Sequence, residues 1–101
     1  MKKMKRDKII KILHDHAVEL DQLGVRSIAL FGSAARDEHG PKSDVDILVE
    51  FDTSRSIGLF DFIRLRLRLQ EMLGMQVDLA TKNALKPQLR DQILREAVYA
   101  D

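Results

Sequence analysis

The sequence predicts an α/β (α+β) fold, a single small domain spanning residues 1–101 in which a central mixed β-sheet is backed by helices. Three observations carry that prediction. The chain has 101 residues and 45% apolar residues, enough for one ordinary domain with a core. Short runs rich in β-branched residues, VRSIALF, SDVDILVEF and MQVDLA, alternate with longer segments whose apolar residues recur every three or four positions. Glycine and proline punctuate the boundaries, at Gly24, Gly40-Pro41, Gly74 and Pro87. The resulting order is helix, strand, strand, helix, strand, helix, with a short helical turn after Gly32.

Lys2 to Leu23 reads as one helix, because Ile9, Ile12, Leu13, His16, Leu20 and Leu23 share a face and Gly24 is a stop signal. Lys2, Lys3, Lys5, Arg6, Lys8 and Lys11 make its start basic. Contact with RNA or an acidic partner is one reading of that patch; a solvated helix face is the preferred one. His14 and His16 stand roughly 200° apart on a helix and cannot share a metal. Val25 to Phe31 reads as a strand covered by other elements. Ser33 to Arg36 starts a helical turn, whose N-terminus would turn free N–H groups toward an anion.

Ser43 to Phe51 reads as the second strand, with Val45, Ile47 and Val49 on one face and Asp44, Asp46, Leu48 and Glu50 on the other. Residues 52–56 form a loop. Ile57 to Leu73 alternates locally as a strand would, but its length, its leucine and arginine content and the lack of β-branching after Ile63 favour a helix. On that helix Asp61, Arg64, Arg68 and Glu71 share a polar face, while Arg66 and Gln70 split the apolar remainder into two strips. Phe62, Leu65, Leu69, Met72 and Leu73 are expected to cover the sheet. Phe60, Ile63 and Leu67 either meet another subunit or partner or are buried within the monomer. Met75 to Ala80 reads as the third strand, with Asp78 its only carboxylate. Thr81 to Lys86 connects it to a last helix opened by Pro87, where a missing N–H costs little. Leu89, Ile93, Leu94 and Val98 give that helix an apolar face, and Arg90 and Arg95 read as surface residues. Tyr99 is left between capping the core and taking part in an interface.

Chemistry concentrates between Gly32 and Glu50. Asp44 and Asp46 point the same way from the start of one strand, and two adjacent carboxylates repel unless a cation lies between them. Hard oxygen donors of this kind suit Mg²⁺, which binds through one or two carboxylates together with substrate phosphates. Gly32 lets the backbone approach a ligand. Ser33 offers a hydroxyl, and Arg36 a planar cation suited to phosphate oxygens. If the third strand lies beside the second, Asp78 joins the cluster; the alternative is an edge-strand Asp paired with an arginine. The stretch points to chemistry on a metal-bound nucleoside triphosphate. Glu38 and His39 read as solvated loop residues.

Composition narrows the classes. Charged residues make up 33% of the chain at a net +1, so the overall charge makes no case for nucleic-acid binding. Cysteine is absent, which excludes disulfides, thiolate metal sites and a thiol nucleophile. No apolar run approaches the roughly 20 residues of a membrane span, and the basic N-terminus lacks the apolar core of a signal peptide. The expected compartment is the cytoplasm.

Gly32-Ser33, followed after ten residues by Asp44-x-Asp46, resembles the signature of the DNA polymerase β-like nucleotidyltransferases. LFGSAAR followed by SDVDILVEF is similar to the minimal nucleotidyltransferases (MNT domains) of prokaryotes. Val77-Asp78-Leu79 fits the family's third-carboxylate strand, and LKPQLRDQILREAVY its closing segment. The sequence departs from the family at Asp37, where glycine is frequent; Asp tolerates left-handed backbone, so the turn is expected to survive. The resemblance implies the polymerase β-like palm and transfer of AMP from ATP. Asp44, Asp46 and Asp78 are then catalytic and metal-binding, with one or two Mg²⁺ ions. Gly32 and Ser33 hold the β- and γ-phosphates, and Arg36 is a further phosphate contact. The implied partner is a HEPN-domain RNase toxin that gains AMP on a tyrosine, the chain being its antitoxin. Two other readings stay open: neutralisation of that partner by binding alone, and nucleotidyl transfer to a small molecule or an RNA end. Either homo- or hetero-oligomers are compatible with the sequence.

Overall fold

The structure, a computed structural model, describes residues 5–38 and 44–100. Lys2 and Lys3 of the basic patch, His39, the Gly40-Pro41 turn and Ser43 lie outside the described residues. The elements in chain order are α1 (Arg6–Asp15), α2 (Ala17–Gln22), β1 (Val25–Leu30), α3 (Gly32–Ala35), β2 (Val45–Phe51), α4 (Leu59–Leu73), β3 (Val77–Thr81), α5 (Pro87–Glu96) and β4 (Val98–Tyr99), with a 3₁₀ turn over Lys82–Ala84. The strands form one mixed sheet in the order β3-β2-β1-β4. β1 is antiparallel to both β2 and β4, and β2 is parallel to β3. Parallel strands need a long crossover, and α4 supplies it.

The crossover is anchored at both ends. At its start, Gly58 N–H donates to Asp61 Oδ2 at 2.9 Å. At its end, Gly74 takes the left-handed conformation, φ 66°, and its N–H closes on the Gln70 carbonyl at 2.8 Å. Gln70 Oε1 then accepts the Val77 N–H at 3.1 Å, fixing where β3 begins. Leu65, Leu69 and Leu73 bury against one face of the sheet, with Ile28, Leu30, Val45, Ile47 and Val49. Ile9, Leu13 and Leu20 complete that core from α1 and α2. Arg68 and Glu19 make a two-pronged ion pair that ties α4 to α2, with Nη2 to Oε1 at 3.0 Å.

Two expectations are corrected, and one alternative left open by the sequence is decided. The single N-terminal helix is two, parted at His16, whose φ of −101° and ψ of 18° leave the helical region. His16 Nδ1 lies 2.7 Å from the Ile12 carbonyl oxygen. The His16 carbonyl still accepts the Leu20 N–H, so the apolar register runs through the break. The closing segment adds a fourth strand, in which Tyr99 pairs with Ala29 and Val98 with Leu30. The second apolar strip of α4 is not buried: Phe60 is 81% exposed and Leu67 51%. No helix among the described residues is long and apolar enough to cross a membrane.

Candidate active site

Two strand ends and one tight turn make the site. β1 stops at Leu30, and the Phe31 N–H donates to the Asp46 carbonyl at 3.0 Å, holding the chain beside β2 as it turns. Gly32 follows with φ 62°, and a Cβ there would run into the Asp46 carboxylate at Oδ2. Only glycine fits, on both counts. Gly32 opens α3, and the N–H groups of Gly32, Ser33 and Ala34 stand in a first turn where a helix has no internal acceptors. Ala34 and Ala35 are buried and seat the turn against the core. Asp37 takes φ 58°, so the left-handed turn expected of it is present, and its Oδ1 accepts the Arg6 N–H at 3.0 Å.

The parallel register sets Asp46 directly across from Asp78. Asp44 stands one residue before β2 and is exposed. Burial pushes the Asp46 carboxyl up to about 6, reinforced by the charge of Asp78, a hydrogen bond with it, and the charge of Asp44. With no cation bound, Asp46 therefore holds its proton to a higher pH than an ordinary aspartate. Among the described residues no three acidic or imidazole side chains are gathered into a ready-made cage. The structure gathers a pair, with Asp44 acting on it from the flank. A pair of hard oxygen donors that repel one another beside free N–H groups fits Mg²⁺, which takes its remaining ligands from phosphate and water.

Arg36 is held away from an open role. Its Nε donates to Glu38 Oε2 at 3.1 Å and its Nη1 to Glu96 Oε2 at 3.4 Å. Its charge nonetheless reaches Asp46 and opposes the rise in that carboxyl. Glu38 pairs with Arg36 and is no part of the acidic pair. No described side chain hydrogen-bonds Ser33.

The same ladder holds a second rung that the sequence reading missed. Four residues beyond Asp46 and Asp78, Lys82 Nζ donates to Glu50 Oε2 at 2.8 Å and sits 5.9 Å from the Tyr99 ring centroid. The lysine holds the Glu50 carboxyl below its ordinary value. The signal was present as a constant offset between the two strands, visible once they are known to be parallel. Beside this rung a cavity of about 620 Å³ opens between the end of β2, the first turn of α4 and Arg90 of α5.

Comparison with known proteins agrees with this geometry. A profile described as "Nucleotidyltransferase domain" matches residues 6–100. The chain is 45% identical over 94 residues to the protein adenylyltransferase MntA of Thermococcus cleftensis, covering 92% of this chain and 93% of that one. A solved structure provisionally described as a minimal nucleotidyltransferase superposes with a TM-score of 0.80 at 35% identity, covering 97% of this chain and 98% of that one. A tri-AMPylated Shewanella oneidensis HEPN toxin in complex with MNT antitoxin shares the fold alone, with a TM-score of 0.62 at 19% identity over 91% of this chain and 71% of that one. A carboxylate pair set against a glycine turn, in a sheet that such relatives share, leads to one family: the chain belongs to the nucleotidyltransferases and is one of their minimal members.

Proposed function

We propose that the chain transfers AMP from ATP to a tyrosine of a HEPN-domain toxin and so acts as its antitoxin. The observation that carries this reading is the Asp46–Asp78 pair set against the Gly32–Ser33 turn. The naming of the Thermococcus cleftensis relative as a protein adenylyltransferase supports a protein acceptor and an adenylyl group. The AMP carried by the Shewanella oneidensis HEPN toxin, in a complex whose fold matches, supports the partner.

The residues divide the work. The N–H groups of Gly32 and Ser33 and the Ser33 hydroxyl hold the β- and γ-phosphates, aided by Arg36 if it releases Glu38. Asp44, Asp46 and Asp78 would hold Mg²⁺, which when bound neutralises charge on the triphosphate oxygens. Asp78 accepts the proton of the attacking hydroxyl. The tyrosine oxygen bonds to the α-phosphorus, the bond from that phosphorus to the bridging oxygen of the β-phosphate breaks, and pyrophosphate leaves.

The test is the intact mass of a cognate HEPN protein after incubation with this chain, ATP and Mg²⁺. A gain of one or more AMP units, lost in the Asp44→Ala/Asp46→Ala variant, is the expected result. A stable complex with no gain in mass would replace transfer by neutralisation through binding.

A further inference from the structure

The exposed strip of α4 has no use in the transfer step. Leu59 is 71% exposed, Phe60 81%, Ile63 40% and Leu67 51%. Phe60, Ile63 and Leu67 lie three or four residues apart, so they form one ridge along the helix, with Leu59 beside its start, turned away from the buried Leu65–Leu69–Leu73 ridge. Exposed apolar side chains gathered into one ridge, rather than scattered singly, make a candidate interaction site. Arg64 and Arg66 flank the ridge on either side, both exposed, and no described carboxylate pairs with either. Arg68 is different, being committed to Glu19 and Glu71.

Charge selects the occupant. A second copy laid across the ridge would bring four arginines into one small interface, while the carboxylates of α4 are already engaged, Asp61 by the Gly58 N–H and Glu71 by Arg68, and like charges across an interface cost several kcal/mol. An RNA would need a run of cations, whereas here two arginines border a greasy strip. What fits is a protein surface that is apolar along its centre and acidic at its flanks. The cavity beside the first turn of α4 extends the ridge: Leu59 belongs to both, and Phe51 and Phe62 meet edge-to-face in its wall with ring centroids 6.5 Å apart.

We propose that α4 and this cavity are the docking surface for the acceptor protein, engaged by an amphipathic helix whose apolar side covers Phe60, Ile63 and Leu67 and whose carboxylates face Arg64 and Arg66. This rests on the protein-acceptor reading above. The cavity, not the ridge, is what leads toward the carboxylate pair. Glu50 and Thr81 in the cavity wall lie four and three residues along the strands from Asp46 and Asp78. At about 3.3 Å per residue, the cavity wall and the carboxylate pair are roughly 10–13 Å apart, while the ridge itself lies beyond α4 on the opposite side of the sheet from the Asp46 side chain. An acceptor seated here reaches the carboxylates with a segment several residues long that passes around the end of β2, since a single side chain is too short.

The test compares the full chain with Phe60→Ser/Leu67→Ser, Arg64→Glu/Arg66→Glu and Asp44→Asn/Asp46→Asn variants, using a cognate HEPN protein as the probe. Circular dichroism melts confirm that each variant folds. Calorimetry is expected to show Kd rising at least about tenfold in the two α4 variants, with AMP transfer persisting at saturating partner. The carboxylate variant is expected to bind as the parent does and transfer nothing. Wild-type affinity in both α4 variants would overturn the docking surface and leave the transfer reading standing. Binding that depends on α4 with no AMP transferred by the parent would uphold the surface and overturn the transfer. A parent that neither binds nor modifies the probe overturns both. A dimer that Phe60→Ser/Leu67→Ser splits into monomers, or salt-sensitive RNA binding lost in Arg64→Glu/Arg66→Glu, would overturn the proposed occupant.

Discussion

At neutral pH the Asp46 carboxylate faces Asp78 across one rung of the sheet, half-buried and without a fixed cation against it. An acid whose pKa rises on folding binds its proton more tightly in the folded state. Its contribution to stability is therefore best below the ordinary aspartate value and is lost as pH climbs from about 4 to about 6. Asp46→Asn removes that dependence. Without divalent cations, the variant is expected to melt higher than the parent above pH 6 and to converge with it near pH 4, while losing transfer. Parallel melting curves for the two proteins at all pH values would refute the raised carboxyl. Gly32→Ala tests the neighbouring constraint. Strained backbone and a methyl pressed on Asp46 are expected to cost about 1–3 kcal/mol in urea unfolding, along with activity. At this scale the sequence was informative about placement: the glycine turn expected at Gly32 lies against Asp46, and Asp78 stands beside it on the neighbouring strand. What could not be read was how unequal the carboxylates are. Asp44 stays exposed outside the strand while Asp46 bears the burial, a difference set by which residue opposes which in the folded sheet.

Among the elements, α4 shows what periodicity can and cannot supply. Its two apolar strips were legible from residue spacing alone, yet only the packing of β2 and β3 decides that Leu65 lies inside and Leu67 outside. Leu65→Ala is expected to destabilise by about 2–5 kcal/mol through the cavity it leaves, against about 0.5 kcal/mol for Leu67→Ala. Similar losses at the two sites in urea titrations would mean that the outer strip is also covered. The break at His16 was invisible for a related reason. The apolar positions keep their helical spacing across it, and the disturbance is a local contact between an imidazole and the Ile12 carbonyl. β4 escaped notice because two residues carry no period; they become a strand only by pairing with Ala29 and Leu30.

Over the whole molecule, one parallel ladder serves two purposes. The offset that sets acid against acid at Asp46 and Asp78 sets acid against base at Glu50 and Lys82. One end is satisfied by the protein itself, and the other sets two acids against each other. A ligand bound only by the folded state stabilises it by mass action, about 2.7 kcal/mol at a hundred times its Kd. ATP with Mg²⁺ is accordingly expected to raise the Tm of the parent and leave that of Asp44→Ala/Asp46→Ala unchanged. An equal rise in both would place the nucleotide elsewhere. Strand order also gives Asp78 a second duty. β3 is an outer strand of the sheet, so one side of its backbone is free to recruit another chain. A charge near the start of such a strand discourages fibril-like stacking. An Asp78→Asn protein is thus expected to be less soluble than the parent, so that a residue proposed for transfer also guards against aggregation.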